Sequence, residues 1–192
     1  KYEATEFESA YKKVMAAGRE EGAPHVTSNS GNNEWYTPPE YIEAARIAMQ
    51  GIDLDPASSE IANRTVKATA FFSQSDNGLE QPWRGRVWMN PPYSSDLIGK
   101  FCEKLLESYI SGDVLQACVL VNNATETQWF QSLLSRAMAV CFPSGRIRYL
   151  SPDGEAGNSP LQGQSVLYLG GEKERFSEAF SGFGTILFGG SS

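Results

Sequence analysis

The feature that most constrains the fold is a nearly continuous apolar run at residues 114–121, in which only Gln116 is polar. A strand with one face in water would alternate apolar and polar residues, and this run does not. Runs of this kind are typical of strands buried on both faces in a parallel sheet that helices cover. The run therefore predicts a central strand of an α/β sheet.

Patterns on both sides of this run agree with that fold class. Short apolar or alternating segments predict further strands, at residues 52–54, 69–73, 87–89, 139–142, 165–170 and 184–188. Apolar residues at helical spacing lie between most of them. Residues 145–150 alternate basic and apolar side chains and predict a half-buried strand that pairs with residues 165–170. We therefore expect a mostly parallel sheet with an antiparallel hairpin near the C-terminus.

The N-terminal part of the chain predicts a separate element. Residues 1–21 have a narrow apolar face at helical spacing, and a polar linker follows to residue 32. The main domain is then expected over residues 33–192. Thr37 is a plausible helix N-cap, with Pro38 in the first turn and Glu40 three residues after the threonine.

Composition excludes several kinds of function. The only histidine, His25, lies in a polar stretch, which argues against a histidine-based triad and a Cys/His zinc site, so no metal is expected. Cys102, Cys118 and Cys141 lie in helical or strand patterns and are expected to be buried thiols in a reducing cytoplasm. No apolar run approaches a membrane span. The net charge of −7 is not that of a strong, non-specific nucleic-acid binder, so any such contact requires a local basic surface.

A rigid polar turn follows the strand predicted at residues 87–89. Asn90 can accept an N–H through its side-chain oxygen, and the carbonyl of Pro91 can accept a second. Pro91 and Pro92 stiffen the turn, and the ring of Tyr93 can stack on a heterocycle. The turn therefore predicts a site that holds a planar amino group.

An acidic loop follows the first predicted strand. Asp53 and Asp55 alternate with apolar residues there, and ligands bind beyond the carboxyl ends of strands in open α/β sheets. No glycine-rich phosphate loop is present, so a nucleoside triphosphate is not indicated. Acid at such a place suits a ribose hydroxyl or a cationic amino-acid group. If this loop lies beside the Asn90 turn, methyl transfer from S-adenosylmethionine to a planar amino nitrogen fits the pair best. A base in duplex DNA would have to be flipped out, with Tyr93 as its stacking platform.

These motifs together resemble the phage-type, Dam-like family of DNA adenine-N6 methyltransferases. The resemblance covers about residues 33–188 and is carried by an ordered set of segments: Glu34-Trp35-Tyr36-Thr37-Pro38, Asp53-Leu54-Asp55-Pro56-Ala57-Ser58, Asp76 to Leu79, Val87-Trp88-Met89-Asn90-Pro91-Pro92-Tyr93, and Gly145-Arg146-Ile147-Arg148. Each segment alone is a weak signal, because Asn-Pro-Pro-Tyr also occurs in methyltransferases that act on RNA or on protein glutamine.

The resemblance implies a Rossmann-like class I methyltransferase fold, S-adenosylmethionine as methyl donor and adenine in DNA as acceptor. By position, Asn90, Pro91, Pro92 and Tyr93 match the catalytic loop. The positions that match cofactor-binding segments are Tyr36, Thr37, Pro38, Asp53, Asp55, Pro56, Ala57 and Asp76. A bacterial host cytoplasm is the implied location.

The sequence departs from larger methyltransferases in two ways. Asp55-Pro56-Ala57-Ser58 replaces their glycine-rich cofactor loop, and no separate target-recognition domain is evident. Target specificity is therefore expected to come from residues 143–164, where Arg146 and Arg148 are the candidate DNA contacts, or to be low, or to need a second subunit. Two alternatives remain open at this point: an amino methyltransferase that acts on RNA or a protein glutamine, and a catalytically silent module that holds cofactor or DNA.

Overall fold

Seven strands form one sheet in the computed structural model, which describes residues 36–151, 155, 157 and 162–189. The helix and linker predicted for residues 1–32 lie outside this part of the chain, so the proposed domain division stays a prediction. No helix within the described ranges is long and apolar enough to cross a membrane.

Helices and strands alternate along most of the described chain. The strands are β1 (Leu54–Asp55), β2 (Ala70–Phe71), β3 (Gly85–Met89), β4 (Val114–Asn122), β5 (Ala139–Pro143), β6 (Gln164–Leu169) and β7 (Gly184–Phe188). The helices are α1 (Pro39–Met49), α2 (Glu60–Val66), α3 (Ser95–Ile110), α4 (Gln128–Leu134) and α5 (Lys173–Phe180). Two short 3-10 turns, Gln74–Asp76 and Gly78–Glu80, connect β2 to β3.

The strand order across the sheet is β2-β1-β3-β4-β6-β5-β7. Strands β2, β1, β3 and β4 pair in parallel, whereas β6 is antiparallel to both β4 and β5. Strand β7 is antiparallel to β5 at the edge. The fold is therefore α/β with a mixed sheet. The strands pair in parallel from β2 to β4, and the remaining pairs are antiparallel.

The predicted partner of residues 165–170 is wrong. Residues 146–149 have no strand assignment, and Leu150 makes only an isolated bridge to Tyr36. Strand β6 pairs instead with β4 and β5, because its six residues are all buried and need a covered position within the sheet. The arginines keep residues 146–148 at the surface, and only Ile147 is buried there.

Helices cover both faces of the sheet, as the run at residues 114–121 predicts. Helices α1 and α5 pack on one face, where Trp88, Cys118 and Leu120 point. Helices α3 and α4 pack on the other, against Val87 and Met89. Adjacent residues of β3 thus enter opposite halves of the core, because successive strand side chains alternate between faces. All three cysteines are buried and free, as predicted.

The start of α1 differs from the prediction in one informative respect. The N-cap is Pro38 and no side chain caps the helix, so Thr37 is not the N-cap and the predicted capping box does not form. The Thr37 side chain is buried and turns toward the loop after β3 instead. A local helix signal has given way to a tertiary contact.

Candidate active site

The two polar strand ends lie side by side at the carboxyl edge of the sheet. Strand β1 pairs in parallel with its neighbour β3. The chain leaves β1 for α2 on one face of the sheet and leaves β3 for α3 on the other face. Such a switch point opens a crevice outside the carboxyl ends of the strands, where α/β proteins bind ligands. The acidic loop follows β1 and the Asn90 turn follows β3, which confirms the predicted juxtaposition.

The side-chain amide of Asn90 is held at both of its ends. Its Nδ2 donates to the Thr37 hydroxyl oxygen at 3.2 Å, and its Oδ1 accepts from the Tyr93 hydroxyl at 3.3 Å. An amide oxygen has two lone pairs, so Oδ1 can accept another N–H while the Tyr93 contact is kept. Pro91 is buried beside it, which anchors the turn in the domain. The arrangement leaves one oriented acceptor at the sheet edge.

Tyr93 has an anchored hydroxyl and is partly exposed. The hydroxyl also lies 3.3 Å from the Leu120 carbonyl oxygen of β4, and burial of this hydroxyl raises the Tyr93 pKa well above its usual value. The residue as a whole is nevertheless 39% exposed, so part of it remains open to a ligand. This geometry suits a flat surface on which a heterocycle can stack.

Asp55 is the buried acid of the site. It ends β1, is 3% exposed, and burial raises its pKa to about 6. Its Oδ1 accepts from the Ala57 backbone N–H at 3.3 Å. The Ser58 hydroxyl lies close enough to offset part of the pKa change, but this buried oxygen makes no hydrogen bond of good geometry among the described residues. A buried acid with a raised pKa in a crevice is a candidate for ligand binding.

Asp53 is placed differently from Asp55. Both of its carboxylate oxygens bond Arg86: Oδ1 lies 2.6 Å from Nη2, and Oδ2 lies 2.8 Å from Nε and from the backbone N. The pair ties the residue before β1 to the start of β3, at the amino side of these strands. The structure therefore does not bring Asp53 to the Asn90 turn, and its predicted cofactor contact stays a prediction.

Asp76 lies in the loop that packs against the acidic strand end. It is exposed, and its carboxylate accepts from the Ser73 backbone N–H at 2.8 Å and from the Ser73 hydroxyl at 2.5 Å. These bonds lower its pKa. Gly78, two residues later, sits so close to the Pro56 carbonyl oxygen that a Cβ would come within 2.1 Å of it. The loop that carries Asp76 thus packs directly against the backbone of Pro56.

Residues 145–150, called here the arginine segment, border the site through a contact between Leu150 and Tyr36. The backbone N–H of Tyr36 donates to the Leu150 carbonyl at 2.8 Å, and the Leu150 N–H donates back at 2.8 Å. Arg146 and Arg148 are exposed on this segment. The segment that carries the predicted DNA-contacting arginines is therefore bonded, at Leu150, to the residue before Thr37.

Tyr149 is a site residue that the sequence reasoning missed. Burial raises its pKa to about 12, and its hydroxyl lies near that of Tyr93 without forming a hydrogen bond of good geometry in the described part of the chain. Asn123 follows β4, and Gln164 pairs with Asn122 at the start of β6. The buried Asn123 Oδ1 makes no hydrogen bond to any described residue, and Gln164 Oε1 accepts from the Ile147 N–H at 3.1 Å. An aromatic residue directly after the Arg146–Arg148 alternation was the available signal for Tyr149.

Comparison with known proteins gives the family. A model of the family described as DNA N-6-adenine-methyltransferase (Dam) matches residues 25–177. The chain belongs to this family. The chain is also similar to the DNA N-6-adenine-methyltransferase of Haemophilus phage HP1 (strain HP1c1), at 28% identity over 131 residues, which cover 65% of this chain and 70% of the phage protein. No solved structure matches it.

The Dam-family match includes every element that builds the site. It spans the segment with Thr37, the carboxyl ends of β1 and β3, and the arginine segment, and it ends within α5. Membership therefore confirms the resemblance found in the sequence and supports DNA adenine methylation as the activity.

Proposed function

We propose that the protein transfers a methyl group from S-adenosylmethionine to the N6 amino group of adenine in DNA. The observation that carries this proposal is the Asn90 amide, held at the switch point with Oδ1 free to accept another N–H. Membership of the Dam family names the acceptor class. An oriented acceptor at the end of a strand is what a site for a planar amine requires.

The chain's own groups would hold the adenine and prepare its nitrogen. Asn90 Oδ1 and the Pro91 carbonyl would accept the two amino N–H bonds, and the Tyr93 ring would stack on the base. Drawing both N–H bonds toward acceptors outside the ring plane would return the lone pair to nitrogen. Nitrogen could then attack the donor's methyl carbon as the carbon–sulfur bond breaks, and the proton that nitrogen loses would pass to water. Catalysis would then rest on positioning and electrostatics rather than on a dedicated base.

The acidic strand end supports a site for the methyl donor. S-adenosylmethionine would supply an electrophilic methyl group. Asp55 offers a buried carboxylate and Ser58 a buried hydroxyl with no hydrogen-bond partner among the described residues, and such groups hold hydroxyl or ammonium ligands. We assign Asp55, Pro56, Ala57 and the nearby loop of Asp76 to donor binding.

We further propose that the sheet is a Rossmann-like class I methyltransferase sheet. The support is the parallel half with its switch point between β1 and β3, together with the antiparallel β6 that lies between β4 and β5. In this arrangement the donor and acceptor sites occupy neighbouring strand ends.

Arg146 and Arg148 are proposed to contact the DNA backbone beside the flipped base. They are exposed on a segment that is bonded to Tyr36 and so borders the Asn90 turn. Because the whole chain carries a net charge of −7, the contact has to come from such a local basic surface.

An acceptor panel tests the proposed function. The protein is incubated with tritiated S-adenosylmethionine and, in separate reactions, with unmethylated DNA, with RNA of the same sequence and with a glutamine-containing protein. The proposal predicts label in DNA alone, recovered after nucleoside digestion as N6-methyladenine. Label in RNA or in glutamine would support the rival amino methyltransferase, and donor binding without any product would support a silent module.

A further inference from the structure

We propose that Thr37 is a positioning residue that fixes the orientation of the Asn90 amide, which rests on the proposed function of Asn90. The two residues are far apart in sequence, yet Asn90 Nδ2 lies 3.2 Å from the Thr37 hydroxyl oxygen. Thr37 is only 6% exposed. Its hydroxyl is not used to cap α1, whose N-cap is Pro38.

Orientation matters because the two ends of an asparagine amide have opposite hydrogen-bonding roles. The oxygen accepts and the NH₂ group donates. An amine that approaches the NH₂ end meets donor against donor, whereas at Oδ1 it finds an acceptor. By holding Nδ2, Thr37 leaves Oδ1 on the side of Tyr93, whose hydroxyl already donates to it. In this arrangement the Thr37 contact holds the amide with its accepting end on the side of Tyr93.

Both partners stand on stiff backbone, which makes the contact a precise one. Thr37 precedes Pro38 and Asn90 precedes Pro91, and a residue before proline is restricted to extended conformations. The backbone of Tyr36 is bonded twice to Leu150, which fixes the segment on its other side. Because the Thr37 backbone is restricted in this way, its hydroxyl has a fixed position from which it can orient the Asn90 side chain.

The rival role for Thr37 is direct contact with the methyl donor, as its place in the sequence motif implied. The two roles predict different kinetics. A donor ligand would change the dissociation constant of S-adenosylmethionine, while a residue that orients Asn90 would change the rate of methyl transfer from a fully loaded complex.

The test compares Thr37→Val, which removes the hydroxyl at nearly constant shape, with Thr37→Ser, which keeps it. Tyr168→Phe is the matched control, because it deletes a buried hydroxyl that bonds Gln116 at 2.9 Å, near the amino end of β4. Single-turnover N6-methyladenine formation is measured with donor and DNA saturating, and the donor dissociation constant is measured by calorimetry with each full-length protein.

We expect Thr37→Val to slow single-turnover methyl transfer by about 10- to 100-fold. We expect donor affinity to change less than about twofold and Thr37→Ser to recover most of the rate. A Thr37→Val protein as fast as wild type would overturn the inference while leaving the proposed function standing, as would a loss confined to donor affinity. Inactivity of the wild-type protein on DNA would instead refute the proposed function itself. Thermal unfolding of each variant tests whether folding is retained.

Discussion

Asp53 and Asp55 are two residues apart, yet their surroundings give them opposite chemistry. Asp53 is paired with Arg86, whose side-chain hydrogen bonds hold its pKa below the usual range. Asp55 is buried without a cationic partner in the described structure, and burial raises its pKa to about 6. The sequence could show that both are acidic and close to a strand end. It could not show which one would be neutralised by an arginine 33 residues away.

Replacing Asp53 with Asn should reduce stability without affecting donor binding. Both side chains are about one-third exposed, so we expect a loss of about 1 kcal/mol at pH 7. Because the folded pKa is lowered, this contribution is present above the unfolded value near 4 and is lost as the pH falls through the folded value. Urea unfolding at pH 7 and pH 2.5 measures it, with Asp113→Asn in the exposed pair with Arg84 as control.

A large loss of S-adenosylmethionine affinity in Asp53→Asn, with stability unchanged, would contradict the structural role and restore the cofactor role predicted from sequence. The Asp113→Asn control should leave both quantities unchanged, since Arg84 Nε and Asp113 Oδ1 are 3.9 Å apart and well exposed.

Replacing Asp55 with Asn should raise stability at pH 7, in contrast to Asp53→Asn. Between about pH 4 and 6 the folded protein keeps a proton that the unfolded chain has lost, so the wild type loses stability as the pH rises through that window. Asn does not ionise and can still accept from the Ala57 N–H. We expect a gain on the order of 1–3 kcal/mol in the free energy of unfolding at pH 7 that disappears near pH 3.5. An equal change at both pH values would show that ionisation is not its cause.

At the scale of elements, the sequence predicted most strands and helices because their signals are local. Ser59 accepts from the Ala62 N–H and caps α2, and Thr127 accepts from the Phe130 N–H and caps α4. Strand pairing is not local, and the partner predicted for β6 was wrong. Alternation at residues 145–150 matched a strand, but a pattern of period two does not say whether a sheet has room for another member.

The loop between β2 and β3 offers a direct test of how elements support the site. In Gly78→Ala the new Cβ would lie 2.1 Å from the Pro56 carbonyl oxygen, so the acidic loop must shift. We expect a stability loss of about 1–3 kcal/mol and weaker S-adenosylmethionine binding. Urea unfolding and calorimetry measure the two effects.

Gly99→Ala in α3 is the matched control, because its Cβ would meet nothing within 4 Å. It should raise stability by roughly 0.5–1 kcal/mol, since alanine is the better helix former, and leave donor affinity unchanged. If Gly78→Ala behaved like Gly99→Ala, the loop of Asp76 would have no part in shaping the donor site.

At the scale of the whole molecule, an acidic protein must meet a polyanion through a small surface. Arg146→Ala and Arg148→Ala should each weaken DNA binding and reduce the slope of log affinity against log salt by about 0.9 if the arginine contacts one phosphate. Fluorescence anisotropy at several salt concentrations measures the slope. Arg84→Ala is the control, because this exposed arginine precedes β3 at the opposite edge of the sheet. Unchanged slopes in both variants would place the DNA elsewhere.

The overall arrangement was largely accessible from the sequence, since a doubly covered sheet follows from the run at residues 114–121 and the neighbouring motifs. The contacts that shape the site could not be predicted from the sequence. Thr37 reaches Asn90 across 53 positions, and Tyr149 reaches the site from a segment predicted to be a strand. Contacts of this kind depend on how elements pack, which periodicity and capping signals do not encode.

Asn90→Ala tests the proposed role of the Asn90 amide, with N6-methyladenine measured in single turnover at saturating donor and DNA. Because the variant keeps Asp55 and the arginine segment, donor and DNA binding should persist while methyl transfer falls by at least about 100-fold. N6-methyladenine formation at the wild-type rate in a folded Asn90→Ala protein would contradict the claim that this amide holds the reacting amine.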